Sequence, residues 1–224
     1  LSLLRKASVI GARGHLAAKE GFEQNLSEFE IHIKFLEATG LNEHALPYGN
    51  IVAQNDHASL LHYQHQERHV PEPLLSLLID AGGSYKGYAS DITRTYCTRT
   101  EQEVLETGVF KSLILAITKL KDILIAEASD GTSFVDLQKL MHQTLAKILN
   151  EHHLINISPD EAFESGLTEL FCPHGLGLGG ANTALSLHYF LKGFPHIHTP
   201  LVQGLMVGAT PKPSHRSKSI LFNR

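Results

Sequence analysis

Cysteine is scarce in this chain of 224 residues, with Cys97 and Cys172 the two that occur. They lie far apart and lack the spacing of a zinc knuckle or a redox motif, which excludes a dense disulfide framework and points to a reducing, cytoplasmic setting with both as buried thiols. Long apolar runs are absent too. No stretch approaches the roughly 20 residues that cross a bilayer, and no basic-then-apolar segment opens the chain, so no membrane partner is expected. Positive charge is not in excess either. A formal net charge of -4 gives no basic surface of the kind a phosphate backbone demands, which sets nucleic acid aside as a partner. The sharpest shortage is local: after Glu169 the sequence contains no Asp or Glu at all.

Against these shortages, 42% hydrophobic and 19% charged residues are ordinary for a globular domain with a well-filled core, and one domain is the default. The chain opens at Leu1 inside a helical pattern (Leu4, Ala7, Val9, Ile10, Leu16, Ala17), as a piece whose upstream part is missing would. Ser27 with Glu30 three residues on forms a capping signature, and the helix it starts leads to a stop at Gly40. Ile51 to Ala53 and Leu60 to Tyr63 are short extended candidates, and the apolar run from Leu74 to Ile79 predicts a buried strand. Helical spacing returns over 101–128 and, past a turn at Ser129-Asp130-Gly131, over 133–153. Ser158-Pro159 reads as a cap and first helical residue. Strand-rich and helix-rich stretches follow one another without repeats, which predicts an α+β fold.

The densest information lies between Leu77 and Thr95, which reads as strand, glycine-rich turn, strand. A hairpin folded about Tyr85-Lys86 places Asp80 opposite Asp91, with Cβ atoms roughly 5 Å apart. Two carboxylates so placed repel, unless a cation lies between them; facing hard oxygen donors suit a divalent metal ion. The same spacing also fits Asp80 as a strand-end residue and Asp91 as a surface charge solvated or paired with Arg94. Spacing alone leaves both open.

Leu-Leu-Ile-Asp-Ala-Gly followed by Gly-Tyr-Ala-Ser-Asp-Ile-Thr-Arg-Thr resembles the metal-binding hairpin of the prolidase and aminopeptidase P family. Matching stretches are Pro47 to Ala53, Leu60-Leu61-His62-Tyr63, and Phe171 to Gly177. They span roughly residues 1 to 177 and are most similar to the bacterial Xaa-Pro dipeptidase branch. The resemblance implies an α+β pita-bread catalytic domain and hydrolysis of Xaa-Pro dipeptides by two divalent ions, commonly Mn²⁺. It also implies a small peptide as partner, and a homodimer is common among similar proteins. Asp80 and Asp91 match the family's two metal-binding aspartates, and His62 a histidine lining the substrate site.

Beyond these positions the chain departs from the pattern. In the family's His-Gly-x-Gly-His stretch, His174 matches the first histidine, a neighbour of the metal, while the ligand position holds Leu178. His188 falls near a substrate-contacting position, with lengthened spacing. The family's two metal-binding glutamates have no counterpart, and Lys212 stands near the place of one. The expected organisation is therefore a family-like part, 1–177, followed by a divergent tail, 178–224, broken by glycine and proline and less well packed, with no smaller N-terminal domain. A shifted reading frame or truncated product accounts for these departures; a metal-free binding module with a genuine tail is the alternative.

Overall fold

A computed structural model describes residues 1–60, 62–98 and 105–172 of the chain. The helix expected at the start is α1 (Ser2–Glu23). Its buried residues are Ala7, Gly11, Gly14, Ala18 and Gly21 together with His15 and Phe22, so along its glycines the axis can approach its neighbours closely. Helix α2 (Glu28–Thr39) starts as its sequence predicts. Ser27 Oγ accepts from Glu30 N, the Glu30 carboxylate accepts from Ser27 N at 2.9 Å, and Gly40 closes the helix at φ 66°. Only glycine takes that last conformation without steric cost.

Strands β1 (Ile51–Gln54), β2 (Ser76–Ala81) and β5 (Ile92–Cys97) form an antiparallel sheet with β2 in the centre. Between β2 and β5 a small ribbon pairs β3 (Ser84–Tyr85) with β4 (Tyr88–Ala89). The period-two alternation sorts side chains onto two faces. Val52, Leu77, Ile79 and Ala81 pack with Phe22, Ile31 and Phe35 of α1 and α2. Ile51, Ala53 and Leu78 pack on the other side with α3 (Leu105–Glu127), α4 (Phe134–Glu151) and α5 (Pro159–Glu164). A strand covered on both faces must be apolar throughout, which explains the run seen in the sequence. Each fully buried Leu or Ile there contributes about 1.5–3 kcal/mol.

Three expectations need correction. The hairpin turns about Lys86-Gly87, not Tyr85-Lys86, because both residues have positive φ (48° and 80°), the pair of conformations a tight two-residue hairpin turn needs. Asp80 consequently faces Thr93, and Asp91 precedes β5. Leu60, His62 and Tyr63 form no strand: His62 sits at φ 53°, a left-handed conformation incompatible with extension. Cys172 is buried as expected, but Cys97 is only half-buried, since β5 has a single strand partner among the described residues. His174, His188 and the tail 178–224 lie outside the described residues. None of the described helices is long and apolar enough to cross a membrane.

Candidate functional site

The hairpin base is seated against the small face of α1. A Cβ added at Gly83 would lie 2.5 Å from Gly11 N, so only glycine allows this approach. Ser90 Oγ accepts from Gly83 N at 2.9 Å and donates to Ala7 O at 3.1 Å. His15, buried in α1, places Nε2 3.0 Å from Ala81 O. Ala81 pairs with Ile92 across the ladder, so α1 grips the rung adjoining both aspartates.

Asp80 and Asp91 converge despite the corrected register. The shift from expectation is two residues, and a two-residue shift leaves every side chain on its original face. The Tyr48 hydroxyl, at the approach to β1, lies 2.9 Å from Asp80 Oδ1 and 2.9 Å from Asp91 Oδ1. It has one proton and can donate to only one of them at a time. Burial pushes the Asp80 carboxyl up to about 6; the Tyr48 hydrogen bond opposes this, and the Asp91 charge adds to it. The Thr93 hydroxyl favours the charged form of Asp80 from nearby, although it lacks a well-formed hydrogen bond. Burial and the two carboxylates raise the Tyr48 phenol, holding it protonated. His62 is exposed and within electrostatic reach of Asp80, where it favours the charged carboxylate.

The chemistry of this donor set suits a hard divalent cation, because among the described residues the two carboxylates share one neutral hydroxyl donor, and facing oxygen anions are the ligands such an ion takes. The fit is partial. Among the described residues, no group of three or more His, Cys, Asp or Glu is arranged to hold a metal ion. Tyr48 was missed as a site residue. Its only signal in the sequence is its place in the matching stretch Pro47 to Ala53, and the contact spans 32 and 43 positions.

The α+β sheet flanked by helices is the architecture of the pita-bread metallopeptidases, and comparison with known proteins agrees. The chain matches the model of Metallopeptidase family M24 over residues 2–211 and belongs to that family. It is 46% identical over 177 residues to a Xaa-Pro dipeptidase of Shewanella loihica, covering 79% of this chain and 39% of that protein. A Xaa-Pro dipeptidase of Stenotrophomonas maltophilia is 42% identical over the same shares. The chain thus spans about two fifths of the length of these relatives (39%). Among solved structures, zinc-substituted Escherichia coli aminopeptidase P in complex with product superposes with a TM-score of 0.67 at 24% identity, covering 78% of this chain and 39% of that one. The same aminopeptidase with the inhibitor Pro-Leu gives 0.64 at 23% identity over the same shares. At such identities the likeness establishes the fold.

Proposed function

We propose that this chain carries part of the catalytic site of a metal-dependent Xaa-Pro dipeptidase. The observation supporting this most directly is the convergence of Asp80 and Asp91 on one hydroxyl, each 2.9 Å from Tyr48. In this reading Asp80 and Asp91 hold divalent metal, Mn²⁺ by resemblance, and Tyr48 fixes their spacing with a proton it does not release. Bound metal would supply an acidified water and polarise the scissile carbonyl. His62, exposed and within electrostatic reach of Asp80, stands on the substrate side, and His188 is its sequence-based companion there. His174 is a candidate neighbour of the metal. The substrate is a small peptide with proline second.

A second reading, a binding module without turnover, is favoured by the missing glutamates and by Leu178 where the family has its ligand histidine. Two carboxylates should hold Mn²⁺ weakly and mainly through water. The deciding experiment is hydrolysis of a small Xaa-Pro dipeptide panel with and without Mn²⁺, with Asp80→Asn and Asp91→Asn as controls. Metal-dependent cleavage lost in both variants supports the dipeptidase. Absence of cleavage, together with no calorimetric heat at micromolar metal, favours the module.

A further inference from the structure

Glu28, at the start of α2, is 1% exposed and lies outside the aspartate pair. Its carboxylate is saturated by donors from one segment. Oε1 accepts from Gln54 N at 2.7 Å and pairs with His57 Nδ1 at 2.8 Å. Oε2 accepts from the Tyr63 hydroxyl at 2.7 Å and from Glu67 N at 2.7 Å. Two donors on each oxygen fill the acceptor capacity of an ionised carboxylate. His57 must carry its proton on Nδ1 to donate, and its ring stacks on Tyr63 with centroids 4.6 Å apart at 23°. Phe29 N adds a backbone bond to Glu67 O at 3.1 Å.

His62 sits inside this clamp, one residue before Tyr63, at φ 53°. Left-handed backbone at a residue other than glycine costs about 1 kcal/mol and persists where surrounding structure imposes it. The donors at Gln54, His57, Tyr63 and Glu67 bracket His62 on both sides. We propose that Glu28 is a positioning residue for His62, fixing the backbone on both sides of this imidazole through its donors at Gln54, His57, Tyr63 and Glu67. The proposal rests on the substrate-side role given to His62 above. Glu28 itself touches no substrate.

The test uses the full chain with Mn²⁺ and the dipeptide Ala-Pro. Glu28→Gln is the direct variant, since it turns one acceptor into a donor facing other donors. If it fails to fold, Tyr63→Phe and His57→Ala, each removing one donor, carry the test. Each should lower kcat/KM about tenfold, the lower end for a hydrogen bond to a charged group. In a His62→Ala background the same substitutions should have no further effect, because a positioning residue acts through the group it positions. Equal losses in both backgrounds overturn the proposal.

If the parent chain does not cleave Ala-Pro, the dipeptidase reading is what fails, and spectroscopy decides the positioning role. In nitrogen-15 histidine-labelled chain, the His62 signal is identified by its loss in His62→Ala. Displacement of that signal in Tyr63→Phe and His57→Ala, with the His15 and His142 signals in place, supports the role of Glu28. A His62 signal unmoved in both variants overturns it.

Discussion

Two carboxylate sites, Glu28 against the end of β1 and the Asp80–Asp91 pair at the hairpin, are satisfied in opposite ways. Glu28 has four donors for its two oxygens. Asp80 and Asp91 share one hydroxyl. A carboxylate whose lone pairs are filled by its own protein is structural, since little capacity remains for a ligand. The aspartate pair has one shared side-chain hydroxyl among the described residues, and burial raises Asp80 to about 6, so in the proposed reading a cation would relieve their repulsion. The difference between the sites is therefore in donor count and not in burial alone.

The largest effect expected from this comparison is Glu28→Ala. It strands several buried donors and should destabilise the chain by about 3–5 kcal/mol in urea unfolding. A loss below about 1 kcal/mol would mean that water replaces the carboxylate and that the clamp is weak.

Asp80→Asn should move stability the other way. The folded pKa of Asp80 is raised from 3.8 to about 6, so its contribution is fully present below 3.8 and is lost as pH rises through about 6. The variant should thus be more stable than the parent at neutral pH in chelator, by up to about 3 kcal/mol, with the gain disappearing in acid. Added Mn²⁺ should stabilise the parent and leave the variant unchanged. A variant less stable than the parent at neutral pH would show that the pair is held together by contacts other than a missing cation.

His15 sharpens the comparison because its linkage has the opposite sign. Burial lowers its pKa from 6.5 to about 4, with the Ala81 carbonyl opposing and the Arg94 charge assisting. Its contribution is present above 6.5 and is lost as pH falls toward about 4, worth about 3 kcal/mol. Between those limits it offsets the slope of Asp80, and the parent should show a nearly flat stability profile from these two groups. His15→Gln should uncover a stability that falls with rising pH, and Asp80→Asn one that rises. Parallel profiles in urea titrations of the two variants would break the assignment.

The smallest effect belongs to the α2 cap. Ser27→Ala removes the hydroxyl that accepts from Glu30 N and should cost about 1 kcal/mol in thermal unfolding. It should leave metal response and the His62 signal unchanged, because the donors to Glu28 are Gln54, His57, Tyr63 and Glu67 and none of them belongs to the cap.

Much of this molecule is determined by short-range chemistry that a sequence displays. Ser27 with Glu30, Gly40 and Ser158-Pro159 specify helix ends through contacts three or four residues apart. The apolar run before Asp80 specifies a strand covered on both faces. The side on which Asp80 and Asp91 meet was legible as well, because an even register error preserves the face. The exact register was not: it depends on positive φ at Lys86 as well as at Gly87, and lysine carries no such signal. Leu60 to Tyr63 looks extended by composition, yet the buried carboxylate of Glu28 claims the Tyr63 hydroxyl from 35 positions away. Tertiary structure alone decided which acids are filled and which are left short, since Tyr48, Asp80 and Asp91, like Glu28, Gln54 and Glu67, come together only when the sheet closes between its helices. The sequence determines where carboxylates stand along the chain, and folding determines how many donors reach each one.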